Sequence, residues 1–467
     1  MAEQRKIASI EVAGLQEMFD YKIDFAGDGT TAILIAPNGF GKTAFLAVLN
    51  ACLQFKLVDA ASYKFNKLNI VFDDKTRWLF AKTEYADDEL KSHADHRKMS
   101  LRMQHRRRLR HYIKFTYFDA KGKAKRDNYT ESVESIPTEI LARALDRNLP
   151  IQRTASNIWR DMRLGDTLRT DEVLERYRDV LLNDFEFRDQ LGEFAPGFFD
   201  GVDVRLNCVF IETQRLLQAK KQNRVEPDAS TEPHEEILRQ ADHLAKLLQR
   251  TYASYAATSQ DLDRSFPNRL IARSEGAGPS DIIRLKADLN AIEERRKSLT
   301  DAGILVETSE LVIPPKDEFL PNVSDALQIY VEDSKKKLAT FDEVYSKVSV
   351  FRELLSKKLR PKELIINREV GAQVKGGKDE ISLSQLSSGE KHEFIMLFKL
   401  IFETPANSIV LIDEPEISLH VSWQLEFMSD LAKMQGANQF QSIIATHSPQ
   451  IIHGADHITF DLADQVL

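Results

Sequence analysis

The chain has 467 residues, 42% of them hydrophobic and 29% charged, with a formal net charge of −8 at pH 7. That length holds two or three domains and a large core. The absence of any run of about 18 apolar residues excludes a membrane span and leaves a transport role only to a separate membrane subunit. The acidic balance excludes a wholly basic nucleic-acid coat. Two cysteines, Cys52 and Cys208, are too few for a disulfide framework and read as buried thiols of a reducing cytosol. The opening MAEQRKIASIEV lacks the apolar core and cleavage site of a secretion signal, so a cytoplasmic protein is expected.

In chain order, Ile7–Val12 and Tyr21–Phe25 read as short strands, and the apolar run Thr31–Ala36 as a buried one. A glycine-rich turn leads into an alanine- and leucine-rich helix through Leu53. Segments 68–84 and 111–118 again read as strands. Between them lies the basic stretch HRKMSLRMQHRRRLRH, which includes Arg106, Arg107 and Arg108. Segment 140–195 reads as helical and mixed, and Val204–Ile211 as a further central strand.

From Glu235 to about Leu359 apolar residues recur at helical spacing, with a break at Gly303–Pro315 and one long return helix over 322–359. Lys362–Asn367, a Gly-Gly turn at 376–377 and Glu380–Leu383 predict a hairpin. A helix over 390–403, a strand over 408–412, a helix over about 420–435 and a strand over 441–445 follow. Alternating βα units at both termini predict an α/β sheet built from both ends of the chain, with a helical arm inserted between them.

Four short motifs stand out. Ala36-Pro37-Asn38-Gly39-Phe40-Gly41-Lys42-Thr43 follows a buried strand and opens a helix. Glycines let successive backbone N–H groups wrap a phosphate, the lysine reaches further oxygens, and the hydroxyl suits Mg²⁺. Ala36 stands where this pattern usually begins with glycine, and its small size is kept. Leu386-Ser387-Ser388-Gly389-Glu390 starts a helix with free backbone N–H groups, which taken alone is an ordinary N-cap. Ser408–Pro415 is an apolar strand that ends on two carboxylates, Asp413 to hold Mg²⁺ and Glu414 to polarise an attacking water. Ser442–Ala445 leads into Thr446-His447-Ser448-Pro449, with His447 at a strand end. Each of the last three has a bland reading by itself; their order along the chain is the specific signal.

In that order, LSSGE, LIDEPEISLH and ATHSP resemble the signature, the Walker B strand with D-loop, and the H-loop of RecF/SMC/OLD-like ABC-type ATPases. The resemblance implies a P-loop ATPase head with lobes over 1–215 and 361–467 and a short coiled-coil arm over 216–360. It implies ATP bound by Asn38, Gly39, Phe40, Gly41, Lys42 and Thr43, and Mg²⁺ held by Thr43 and Asp413. By the same resemblance Gln214, after FIETQRL, is a candidate metal-contacting residue. Ser387, Ser388, Gly389 and Glu390 would act in trans, on the nucleotide of a second copy. Ser418 falls at the D-loop, with His420 where the family usually carries aspartate. A homodimer through the ATP sites, open to higher assembly, is the implied state.

OLD-family nucleases carry a Toprim domain after the ATPase, and little sequence follows His447, so a nuclease activity is expected from another polypeptide. This description resembles the ATPase subunits of bacterial anti-phage systems, PtuA of Septu and of retron-linked Septu and AriA of PARIS, each paired with a separate effector. Two alternatives stay open: a RecF- or SMC-type ATPase acting directly on DNA, and an ATP-gated scaffold with negligible turnover. The arginines at 106–108 fit a phosphate track, a solvated surface loop, or a patch that docks an acidic partner.

Overall fold

The computed structural model describes residues 5–25, 29–55, 57–84, 111–129, 138–149, 151–155, 158–162, 167–169, 173, 177, 206–212, 233–274, 282–306, 321–377 and 379–465. Gln214 and Arg106, Arg107 and Arg108 lie outside them. Internal packing divides the chain into two units: Met1–Ser230 with Pro405–Ile417 and Gln439–Leu467, and Thr231–Thr404 with Ser418–Asn438. Among the described residues no helix is long and apolar enough to cross a membrane.

The first unit contains β1 (Ile7–Leu15), β2 (Phe19–Asp24), β3 (Thr31–Ile35), β4 (Lys67–Phe72), β5 (Arg77–Glu84), β6 (His111–Phe118) and β7 (Ala124–Tyr129). Helix α1 spans Lys42–Leu53, and the short α2 spans Leu57–Ser62. An antiparallel sheet runs β2-β1-β4-β5-β6-β7. Alternation along β1, β2 and β4 turns Ile10, Val12, Tyr21, Ile23, Leu68 and Ile70 inward, as period-2 geometry requires. Phe55, held at φ 56°, sets its ring edge-on to Trp78, Phe80 and Phe115 at 5.1–5.7 Å, a geometry aromatic quadrupoles favour.

Segment 140–195, read as helical and mixed, has a different character where it is described. Helix α3 (Thr138–Asn148) is followed by three strands, β8 (Ile151–Ala155), β9 (Ile158–Asp161) and β10 (Thr167–Arg169), in an antiparallel sheet. These strands are 5, 4 and 3 residues long, too short to show a period, yet Ile151, Trp159 and Leu168 are buried.

The central sheet of this unit is parallel and five-stranded. Its order is β11-β15-β16-β3-β17, where β11 is Cys208–Glu212, β15 Ile409–Asp413, β16 Gln441–Ala445 and β17 Thr459–Asp461. Every residue of β15 and β16 is buried; β15 is accordingly apolar up to Asp413, while β16 opens with Gln441 and Ser442, whose side chains are hydrogen-bonded. A short helix, α10 (Pro449–Ile452), follows β16.

The second unit is mainly helical: α4 (Pro233–Ser274), α5 (Ile282–Asp301), α6 (Pro321–Ala339), α7 (Asp342–Lys358), α8 (Ser388–Phe398) and α9 (Val421–Asn438). The single return helix expected over 322–359 is two helices. Thr340 turns both its amide and its hydroxyl to the Lys337 carbonyl, and the Phe341 amide bonds Leu338. This tightens the last turn and ends α6. The expected hairpin after Lys362 is a three-stranded meander, β12 (Glu363–Asn367), β13 (Gly371–Gly376) and β14 (Asp379–Ile381).

Two features fix this unit. Gly371 sits at φ +77°, and a methyl there would lie 1.9 Å from the Ala241 carbonyl oxygen on α4. Only a residue without a side chain permits that approach. Among α7, α8 and α9 a charge triad is buried: Lys358 meets Asp430 at 3.0 Å and Glu393 at 3.3 Å. Burial pushes the Glu393 carboxyl from 4.5 up to about 7, against the opposing pull of Lys358.

Two outcomes are expected. Gly371→Ala should lower stability by roughly 2 kcal/mol or more in urea unfolding, whereas Gly377→Ala, at φ +72° with open space around it, should cost about 1 kcal/mol. Between pH 4.5 and about 7 the folded chain retains a proton on Glu393 that the unfolded chain has lost. That contribution is complete below the unfolded value and is lost as pH rises through about 7. Glu393→Gln should therefore gain stability relative to wild type as thermal melts move from acid to alkaline pH.

Candidate active site

Strand β3 ends on Ile35, and the chain then turns through Ala36–Gly41 into α1. Gly39 and Gly41 take φ +93° and +76°, and no atom lies within 4 Å of where a Gly39 side chain would stand. Gly41 caps α1 in a left-handed conformation, with no side chain bonding the first-turn N–H groups. Those donors and the positive end of the helix dipole face an open loop, which is the electrostatic signature of a phosphate site. The loop is anchored from β2: the Tyr21 hydroxyl donates to the Phe40 carbonyl at 2.7 Å, and Phe19 stacks on Phe40 at 5.8 Å. Burial of Tyr21 raises its pKa to about 12, so it stays a donor.

Lys42 is buried and donates to the Ala36 carbonyl at 2.7 Å. Its ammonium also lies 2.6 Å from His447 Nε2; since an ammonium only donates, Nε2 accepts and the ring proton is assigned to Nδ1. Desolvation lowers the Lys42 pKa, while Glu414, Asp413, Glu416 and Asp461 oppose the shift.

The parallel ladder aligns the acids with this loop. Asp413 pairs with Ala445 on one side and with Glu212 on the other, and Ala445 pairs with Leu34. The ends of four strands therefore meet on one edge, where parallel α/β sheets hold their ligands. Asp413 is raised to about 6, first by burial and then by Glu414 and Glu212, against a hydrogen bond from Thr43 and the charge of Lys42. Glu414 takes φ 49°, an uncommon conformation for a non-glycine residue. Its amide bonds the Ala445 carbonyl at 2.8 Å, and its carboxylate lies 3.8 Å from His447 Nε2.

These residues suit a magnesium nucleotide. A hydroxyl and a carboxylate already share one hydrogen bond at Thr43 and Asp413. Among the described residues no group of three or more His, Cys, Asp or Glu is arranged to hold a metal alone. The Thr43 hydroxyl and the Asp413 carboxylate are oxygen ligands of the kind Mg²⁺ takes in small number, keeping phosphate and water for the rest.

The structure thus brings Lys42, Thr43, Asp413, Glu414 and His447 together in one unit. Ser387, Ser388, Gly389 and Glu390 belong to the other unit, at the start of α8. Ser387 caps that helix: its hydroxyl accepts from the Glu390 amide, while its own amide and hydroxyl donate to the Glu390 carboxylate at 2.8 Å. Ser388 is exposed one residue further on. Ser418 ends a 3₁₀ turn over Pro415–Ser418.

Three residues of the first unit escape sequence reading. Glu416 accepts from the Thr446 hydroxyl at 2.8 Å and from the His447 amide at 2.6 Å, which sets the histidine loop. Tyr21 holds the phosphate loop, and Glu212 adds charge beside Asp413. Glu416 lies inside the LIDEPEISLH run, so its position was visible but its partner was not. Glu416→Ala should speed amide exchange at residues 446–448 while leaving β16 protected. Tyr21→Phe should cost about 1 kcal/mol of stability in denaturant unfolding.

Residues 209–453, more than half of the chain, match the family described as "AAA domain, putative AbiEii toxin, Type IV TA system". The Retron Ec83 probable ATPase of Escherichia coli is 30% identical over 201 residues, which cover 39% of this chain and 35% of that relative. The match therefore spans about a third of the relative's length. Among solved structures, the Smc head domain of Pyrococcus furiosus with an extended coiled coil, bound to the C-terminal domain of ScpA, is 13% identical. It aligns over 96% of this chain and 91% of that one, with a TM-score of 0.31. The SMC head domain of Thermotoga maritima is 10% identical over the same shares, with a TM-score of 0.29. On the family match, and with the phosphate loop and acidic strand end lying on one parallel sheet, the chain belongs to this AAA-domain family.

Proposed function

We propose that the protein is a Mg-ATP-dependent, dimerising ATPase that serves as the switch of a bacterial anti-phage defence complex and controls a separate nuclease or toxin. One observation carries the ATPase reading: Lys42, Thr43, Asp413, Glu414 and His447 converge on the C-terminal edge of one parallel sheet. The likeness to a retron ATPase supports the defence role.

In this reading ATP is the substrate. The backbone of Asn38–Gly41 wraps its phosphates, and Lys42 exchanges its present acceptors for phosphate oxygens. Thr43 and Asp413 hold Mg²⁺, which when bound offsets the phosphate charge. Glu414 orients the attacking water and accepts its proton, and His447 bonds the terminal phosphate. Glu416 keeps that histidine in place. Ser387, Ser388, Gly389 and Glu390 present the start of α8 to the nucleotide of a second copy, and Ser418 sits at the same interface. ATP then favours the closed dimer by binding it better than the open one, and hydrolysis releases it.

Lys42→Ala should abolish nucleotide binding in a fluorescent-ATP titration. Glu414→Gln should bind ATP, lose turnover by about a hundredfold or more, and accumulate as a dimer in light scattering with Mg-ATP. Normal hydrolysis by Glu414→Gln would refute the assigned base. The defence role is tested separately, by co-purifying the products of adjacent genes with and without ATP; recovery of no nuclease or toxin counts against it.

A further inference from the structure

Two lysines bracket the junction between α7 and β12. Lys362 donates to both carboxylate oxygens of Glu390 at 2.7 Å. Lys358, one helical turn earlier, is buried against Asp430 of α9 and Glu393 of α8. Glu390 and Glu393 are themselves three residues apart, on one face of α8.

The Glu390 end has a second partner. The carboxylate that receives Lys362 also receives the amide and hydroxyl of Ser387. Lys362 therefore fixes the residue that fixes the cap, and the cap sets how Ser388 and Gly389 are presented. The hydrogen bonds from Lys362 and Ser387 outweigh burial and keep the Glu390 pKa below its ordinary value, so the carboxylate stays ionised and accepting. The deeper end has its own backing: the Lys358 ammonium lies 5.3 Å over the Trp423 ring, and that ring is the nearest neighbour a side chain at Gly389 would meet, at 3.9 Å. Phe351 of α7 adds edge contacts to Phe394 and Phe398 on α8, at 5.3 and 6.0 Å.

An ordinary N-cap needs only its own Ser and Glu. A doubly hydrogen-bonded lysine from a distant segment is superfluous for capping. It does tie the rotation and height of α8 to the end of α7, the last helix before the meander.

We propose that Lys362, backed by Lys358, is a positioning residue of the ATPase: it clasps α8 so that Ser388 and Gly389 are held for the nucleotide of a second copy. A shift of α7 is then felt at the start of α8 through a charged hydrogen bond in addition to the Phe351 ring contacts. The inference rests on reading Ser387–Glu390 as the trans-acting motif.

The test uses the full chain carrying Lys362→Met or Lys362→Arg, the side chain being partly exposed and the substitution near isosteric. Amide exchange of residues 386–391 should accelerate by about tenfold in Lys362→Met, with residues 409–413 unchanged. Fluorescent-ATP affinity should match wild type, because the phosphate loop lies in the other unit. Turnover at saturating Mg-ATP should fall by about tenfold or more, with KM little changed, and Lys362→Arg should restore at least half of it. Unchanged exchange in Lys362→Met overturns the clasp. So does wild-type turnover in a chain whose exchange has changed, or failure of arginine to restore turnover. If wild type binds ATP but shows no turnover, the ATPase reading fails, and the exchange experiment still decides the clasp.

Discussion

The parallel hydrogen-bond ladder joining β11, β15, β16, β3 and β17 is the constraint on which the site depends. Parallel pairing in a common register places all strand ends at one level, so residues far apart in sequence arrive at one edge. Leu34, Ala445, Asp413 and Glu212 are successive neighbours across it. A shift of β15 by one residue would turn Asp413 to the opposite face of the sheet. β15 and β16 are held against such slippage by complete burial and by side-chain staples. One is Gln441, which bonds the Ile7 amide and carbonyl and the Gly29 carbonyl; another is the Thr31–Ser442 hydroxyl pair.

Strain at this edge has a consistent pattern. Gly39 and Gly41 adopt positive φ at no steric cost. Glu414 adopts it as a carboxylate, at a cost of order 1 kcal/mol. The conformation is held by its amide bond to Ala445 and by the turn that ends with the Ile417 amide on the Glu414 carbonyl. A residue so fixed is already directed before any ligand arrives, and preorganisation of this kind is how fixed charge is made effective in a site.

Much of this was legible in the residues. Strands β3 and β15 are apolar runs, the phosphate loop carries its glycines and lysine in order, and the acids close an apolar strand. What stayed hidden has physical reasons. Glu416 needs Thr446 as a partner, and only the β15–β16 pairing supplies it. Tyr21 looks like a core strand residue until its hydroxyl is seen to reach Phe40. The break in the return helix was masked because Leu338, Phe341 and Tyr345 continue helical spacing straight through it; Phe341 is buried on the turn as it would be on a helix. The strands after α3, of 5, 4 and 3 residues, repeat the alternation too few times to stand out in the sequence. The meander gained β13 because Gly371, unremarkable in sequence, permits a close approach to α4. Gln214 and the arginines at 106–108 fall outside the described residues and remain readings of the sequence alone.

The order of strands also bears on how the chain is made. Both neighbours of β3, β16 and β17, lie several hundred residues later in the chain, and among the described residues β11 pairs with β15. The antiparallel sheet from β1 to β7 closes on local pairings and can form as it emerges. The central parallel sheet cannot. Its exposed apolar strand β3 must wait through several hundred residues of synthesis, the interval in which unpaired strand edges are most prone to aggregate.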